Sequence, residues 1–286
     1  MKTLGMQDAG MDTARNTFSE TSPLALRGFE RVAVPALSWW NRQTVGKQLA
    51  QKTINELNAR WILGVMKNLL QVHHEQPVLS LDAPKGVILV ANHLSFFDMY
   101  VCASWLQRHT SLVGHVYFPV RSDYFYTRPD GMLLNMAISG GSMWPPVFRD
   151  GERRGLNEQG VQELVQRFSP GAIVGFHPEG RRNQGDDPHV QAPCRPGVGK
   201  VILQCDPDVV ILPYFIIGLS NRFADEITRG SRRAGQRGQA VRLWFGEPLR
   251  AGELQRLGDA RTITDRVMSC VAERAQQDRD AGTPAC

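Results

Sequence analysis

The chain has 286 residues, 42% of them hydrophobic and 21% charged, with a formal net charge of +5 and five cysteines. That composition excludes a disordered or fibrous chain and leaves ample length to bury a sizeable core. Cys102, Cys194, Cys205, Cys270 and Cys286 are scattered and odd in number, so they form neither a disulfide framework nor a zinc spacing and point to a reducing compartment.

Residues 1–20 are polar and are expected to be disordered. They carry no signal-peptide pattern, which predicts a cytoplasmic protein, or one peripheral on the inner face of the membrane. Helices are predicted from about 28 to 72. No stretch reaches the roughly 18 uninterrupted apolar residues of a spanning helix, the nearest being the run from Trp61 to Leu70. Between Leu24 and Val72 the apolar residues, including Trp39, Trp40 and Trp61, alternate with Arg31, Arg42, Lys47, Lys52, Arg60 and Lys67. Helices lying in an anionic membrane interface have this pattern, and so does an ordinary amphipathic pair packed on a sheet. No Pro/Gly/Ser-rich linker divides two cores, so the expected organisation is a disordered 1–20, a helical segment 21–75 and one domain over 76–286.

A strand is predicted at 86–91, and Asn92-His93-Leu94-Ser95-Phe96-Phe97-Asp98 follows it directly. A neutral imidazole takes a proton from a hydroxyl or amine, and a carboxylate on its other nitrogen fixes the tautomer, so His93 and Asp98 are the candidate base and its partner. On a continuous helix five residues span about 500° of rotation, which would separate the two side chains. The segment must therefore bend, and Ser95 is a suitable N-cap for a helix over 96–107 with Asp98 in its first turn. Ser95-x-x-Asp98 also reads as a plain capping box. With seven histidines and 28 acidic residues in the chain, the spacing alone is weak evidence.

Beyond it the sequence predicts a strand near 113–120, a short helix at 131–138 and a helix at 152–168. A strand at 172–177 leads into a long polar loop, a helix at 197–205, strands at 209–217 and 240–246, and a final helix near 251–278. Helices alternating with apolar strands imply an α/β fold, a largely parallel sheet covered by helices, with an N-terminal helical extension. Ligands of such sheets bind beyond the carboxyl ends of the strands, where His93 and Glu179 both fall.

Three further segments accompany the first in fixed order: Gly140-Gly141-Ser142-Met143-Trp144-Pro145-Pro146-Val147-Phe148-Arg149-Asp150, Phe176-His177-Pro178-Glu179-Gly180-Arg181-Arg182-Asn183, and the proline-interrupted strand Val209-Val210-Ile211-Leu212-Pro213-Tyr214-Phe215-Ile216-Ile217. Together the four blocks resemble the glycerolipid acyltransferase family that includes 1-acylglycerol-3-phosphate acyltransferases, over about Val87 to Leu249. The resemblance implies transfer of a fatty acyl group from a thioester, on coenzyme A or acyl carrier protein, to a hydroxyl of a lysophospholipid-like acceptor. It makes His93 the base and Asp98 its partner, and it implies that Arg149, Glu179, Gly180 and Arg182 hold the acceptor's polar head. It puts Pro213 on the acyl-donor side and requires no cofactor and no metal.

Two positions depart from the family pattern. Arg181 stands where a threonine is usual, and His177 where phenylalanine is common. Arg181 adds a guanidinium that could grip an acidic head group or fill the space it needs. An acceptor outside the glycerolipids, a hydroxyl or amine, is therefore an alternative, as is a non-catalytic lipid-binding protein. His177 reads as a packed strand-end residue rather than a second base. For Arg149 and Arg182, ion pairs with Asp150 or Glu179 compete with ligand contact.

Arg229, Arg232, Arg233, Arg237 and Arg242 concentrate charge in a Gly-rich segment, read as a basic loop for coenzyme A phosphates, an acidic carrier protein or anionic lipid. Nucleic acid is not an expected partner, because no recognition motif accompanies these arginines. Gly140-Gly141-Ser142-Met143-Trp144 is not a hydrolase elbow. Gly197-Val198-Gly199-Lys200-Val201 lacks the upstream glycine and the Ser/Thr of a phosphate-binding loop.

Overall fold

The structure, a computed structural model, describes residues 25–282 with the exception of 44, 113, 221 and 230–238. The chain enters through α1 (Glu30–Arg42), α2 (Val45–Val65), β1 (Leu70–His73) and the short α3 (Gln76–Leu79). It continues through β2 (Val87–Ala91), α4 (Asp98–His109), β3 (Val116–Tyr117), β4 (Val120–Arg121), α5 (Ser122–Phe125), α6 (Pro129–Ser139) and β5 (Pro146–Val147). The second half holds α7 (Arg154–Val165), β6 (Ile173–Phe176), α8 (Gly197–Gln204), β7 (Val210–Ile217) and α9 (Phe223–Arg229). It closes with β8 (Val241–Phe245), β9 (Leu249–Arg250), α10 (Ala251–Gln255) and α11 (Ala260–Gly282).

The main sheet has the order β1-β8-β7-β2-β6-β3, with β9 added to β7. β7, β2, β6 and β3 are parallel. β8 runs antiparallel to β7 and parallel to β1, so two strands at one edge point the other way. The largely parallel sheet expected from the sequence is therefore present. Its central strand β2 has no exposed residue from Val87 to Ala91, as a parallel strand covered on both faces should. On β7, Tyr214 reaches Met99 of α4, whereas the next residue, Phe215, stacks with His189, which in turn bonds Asp278 of α11. Successive strand residues face opposite sides, so α4 and α11 cover opposite faces. Pro213 is tolerated inside β7 because its missing N–H falls where the ladder changes partner from β9 to β8, and its carbonyl accepts from the Gly246 amide at 2.8 Å.

Several segments differ from the sequence reading. Leu70–His73, expected within the helical segment 21–75, is an edge strand paired with β8, and Ala33, Val34, Leu37, Ile62 and Met66 of α1 and its successors join the hydrophobic core. Residues 1–20 lie outside the described residues. The single helix expected at 251–278 is two. Gly258 adopts φ +83° between them, and the Asp259 carboxylate accepts the Arg261 and Thr262 amides at 2.9 Å to start α11. The basic segment is partly neutralised: Arg229 is buried against Glu226, and Arg242 pairs with buried Asp278 at 2.5 Å. Arg232, Arg233 and Arg237 lie outside the described residues.

α1 and α2 also divide differently. Trp40 is half-buried and donates its indole N–H to the Gly140 carbonyl at 2.8 Å, and Arg42 pairs with buried Glu163. Lys47 is buried, donates to the Gly140 carbonyl at 2.9 Å, and is pushed by burial down to about 7. What remains exposed is Val32, Trp39, Val45, Leu49, Leu57 and Trp61, with Arg31, Lys52, Arg60 and Lys67, of which Arg60 pairs with Glu56 at 2.7 Å. No described helix is long and apolar enough to cross a membrane.

α8 meets α11 without an intervening side chain. A Cβ at Gly199 would lie 1.9 Å from the Ala260 carbonyl oxygen, which is backbone and cannot swing aside, and the Gly199 amide donates to Thr264 Oγ1 at 3.2 Å. Gly199→Ala should therefore force the helices apart, costing about 1–3 kcal/mol and lowering Tm by about 2–10 °C in a thermal melt. An unchanged Tm would contradict this contact.

Candidate active site

Parallel pairing of β2 with β6 puts Val90 opposite Phe176, so the chain leaves both strands side by side. At that point Asn92 replaces main-chain pairing with its side chain: its amide donates to the Ile216 carbonyl at 2.8 Å and accepts the Ile216 amide at 3.0 Å. The main chain is thereby free to turn, and His93 follows the turn. Its side chain is 21% exposed, and the Asn183 amide donates to its carbonyl at 2.7 Å.

Asp98, the first residue of α4, is completely buried. One of its oxygens, Oδ2, accepts the Leu94 and Ser95 amides at 2.7 Å each and lies 3.2 Å from His93 Nδ1. α4 begins at 98 and not at 96, with Phe97 rather than Ser95 as its N-cap and no side-chain cap bond, because Ser95 Oγ donates instead to the Ser220 carbonyl at 2.7 Å. Loop closure and imidazole orientation thus use the same Asp98 atom, and the bend required by the five-residue spacing is the loop these bonds close. An ionised carboxylate only accepts, so Nδ1 carries the proton and Nε2 keeps the lone pair. Burial, followed by the Arg182 charge, holds His93 down to about 4, which keeps it neutral at physiological pH. Burial pushes Asp98 up to about 6 against the opposing pull of its two amide bonds.

His177 lies against this pair. Its ring stacks on His93 at 4.1 Å between centroids and 10° between planes, and Nδ1 donates to the Asn92 carbonyl at 2.7 Å. His93, Asp98 and His177 are the one group among the described residues with three potential metal-ligand atoms within 4.8 Å of one another. They fit an ion poorly: lone pairs in near-parallel ring planes run side by side instead of converging, and both Nδ1 atoms are engaged.

The third block turns over the same opening. Glu179 is buried with neither carboxylate oxygen in a hydrogen bond, and burial pushes it up to about 7, an effect that the nearby Ala192 and His93 amides partly offset. Arg149, which follows β5, is exposed and donates to the Gly180 carbonyl at 2.6 Å. The ion pair of Arg149 with Asp150 weighed from sequence does not form, since Asp150 pairs with Arg153 at 2.7 Å. Arg149 is held below the usual arginine range by partial burial and by the charges of Arg121, Arg195 and Arg181. Arg181 and Arg182 are exposed beside it. Pro213 is buried inside the sheet opposite Val90, and so shapes β7 rather than entering the group around His93.

Three residues of this neighbourhood escape a reading by motif. Arg121 ends the short β4 and Arg195 lies in the loop after β6, neither within a recognisable motif; Arg195 lies over Gly180, about 3.5 Å from where a Cβ there would stand, and its amide donates to the Pro178 carbonyl at 2.8 Å. Asn92 precedes the histidine, but its role depends on Ile216, 124 residues away. The opening as a whole sets a neutral, oriented imidazole near Arg182, with Arg149, Arg181 and Arg195 close to one another around Gly180. It can take a proton from a neutral hydroxyl while an attached anion is held nearby. The buried Cys102 does not offer a nucleophile for a covalent route, because burial raises its thiol well above the ordinary range.

Comparison with known proteins agrees with this geometry. The family described as "Acyltransferase" matches residues 70–217, just over half of the chain. Among solved structures, the chain is similar to the 1-acyl-sn-glycerophosphate acyltransferase PlsC from Thermotoga maritima, with a TM-score of 0.53 and 13% sequence identity over 88% of this chain and 90% of that one. At that identity the likeness speaks for the fold, and the family match carries the assignment. The chain belongs to the acyltransferase family.

Proposed function

We propose that the protein moves a fatty acyl group from an acyl thioester, acyl-CoA or acyl carrier protein, to a hydroxyl of a lysophospholipid-like acceptor. The observation that carries this reading is the oriented His93–Asp98 pair beside Arg149, Arg181 and Arg182. His93 Nε2 removes the acceptor's proton as its oxygen attacks the thioester carbonyl, and the tetrahedral intermediate collapses by expelling the thiolate, which takes that proton back. The products are an ester and a free thiol, and no cofactor or metal is required. Arg149, Gly180, Arg181, Arg182 and Glu179 are assigned to the acceptor head and Pro213 to the donor side. An anion held at Arg182 screens the charge that depresses His93, so acceptor binding strengthens the base.

The test is product identification by mass spectrometry after incubation with acyl-CoA or acyl carrier protein and a panel of acceptors. A diacyl product from 1-acylglycerol 3-phosphate supports the reading. Product only from phosphate-free hydroxyls or amines favours the acceptor outside the glycerolipids, and no product from any acceptor favours a binding protein.

The pH dependence follows from the pair. The productive form has neutral His93 and ionised Asp98, and the last proton leaves the pair at about 6. Accordingly kcat/KM should fall below about pH 6, a limb that Asp98→Asn should remove. A limb unchanged in that variant would contradict the assignment.

The helical segment is assigned to the lipid surface, now through Trp39 and Trp61 with Lys52, Arg60 and Lys67 rather than through Trp40 and Lys47. The protein should float with anionic vesicles at low salt and dissociate as salt rises, each basic residue contributing about 1 kcal/mol. Trp39→Ser with Trp61→Ser should weaken flotation several-fold. A wild type that stays with the soluble fraction at low salt would contradict the assignment.

A further inference from the structure

Resting on the reading of His93 as the base, we propose that His177 is its positioning residue, a ring that fixes the plane of the base from the face that Asp98 cannot reach. Asp98 holds only the Nδ1 edge of His93, at 3.2 Å, and one in-plane hydrogen bond leaves the ring free to tilt about it. The stacked His177 ring, 4.1 Å away and within 10° of parallel, removes that freedom.

His177 is itself fixed. It donates Nδ1–H to the Asn92 carbonyl at 2.7 Å, and Asn92 is held by two side-chain bonds to the Ile216 backbone in β7. The orientation of the base is therefore tied to the central sheet through Asn92 and His177. Burial and the neighbouring imidazole keep His177 neutral, so the proton taken by His93 meets an uncharged ring face and not a competing cation. The parallel planes that make the pair a poor metal site are what let one ring brace the other.

The experiment compares His177→Ala, His177→Phe and His177→Asn in steady-state acyl transfer, with circular dichroism to establish folding. His177→Phe keeps a ring face, His177→Asn a polar side chain without one, and His177→Ala neither. His177→Ala and His177→Asn should lose ~10- to 100-fold in kcat, with donor and acceptor KM within a few-fold of wild type, because a misplaced base slows the chemical step and not binding. His177→Phe should retain most of kcat. Equal losses in His177→Phe and His177→Asn, unchanged kcat in all variants, or losses confined to KM would each overturn the proposal. If His177→Ala does not fold, the contrast between the Phe and Asn variants decides it alone. Full activity of His93→Ala would overturn the base assignment itself. An inactive His93→Ala beside a fully active His177→Asn would overturn only the positioning role.

Discussion

His93→Ala should lower turnover roughly 10²- to 10⁴-fold, the range that a positioned general acid–base group contributes, while circular dichroism and Tm stay close to wild type. Folding should survive because the side chain is partly exposed and its hydrogen bond to Asp98 is one of three that Oδ2 accepts. Asp98→Asn is the sharper probe. An amide oxygen still accepts the Leu94 and Ser95 amides, so the loop closes, but the negative charge that favours the Nδ1–H tautomer and steadies the imidazolium is gone. Turnover should fall by a factor approaching that of His93→Ala, and the double variant should be little worse than either alone, because groups that act as a unit are not additive. Near wild-type rates in both folded single variants would contradict the mechanism.

The second large effect is expected at the arginines. Arg149 meets no carboxylate among its hydrogen bonds and has the like charges of Arg121, Arg195 and Arg181 near it, only partly offset by Asp123, an arrangement that a bound anion relieves. A charge-assisted contact contributes roughly 1.5–3 kcal/mol, so Arg149→Ala and Arg182→Ala should each cost about 10- to 150-fold in kcat/KM. The loss should appear mainly as a raised acceptor KM with the donor KM nearly unchanged, and it should shrink with a phosphate-free acceptor. Arg182→Ala should in addition relax the downward pull on His93. A fall in thermal stability without a change in acceptor KM would make both arginines structural.

The legible parts of the fold were those where burial on both faces writes itself as a continuous apolar run. Val87–Ala91 and Val210–Ile217 are such runs. β1 was not legible, because an edge strand that is only half-buried, Leu70-Gln71-Val72-His73, continues the mixed pattern of the helix before it. Lys47 and Trp40 show the same limit in reverse. Basic and aromatic residues on an amphipathic helix read as surface, yet both bond the Gly140 carbonyl about a hundred positions later. The break at Gly258-Asp259 had a sequence signal, a glycine followed by a capping aspartate, and was submerged in the helical pattern on either side. The candidate site divides along the same line. His93 and Asp98 are five residues apart and their relation follows from local geometry, whereas the approach of His177 to His93 exists only once β2 and β6 pair, and that of Arg121 to Arg149 only once β4 and β5 pair.

Direct attack by the acceptor separates this account most cleanly from an acyl-enzyme route, and thiol release from acyl-CoA reads it. With wild-type protein and 1-acylglycerol 3-phosphate, thiol should appear in step with diacyl product, one for one. Without acceptor there should be neither a thiol burst nor an acyl adduct in the intact-protein mass. A burst approaching one thiol per protein in the absence of acceptor, or an acylated protein, would contradict the account.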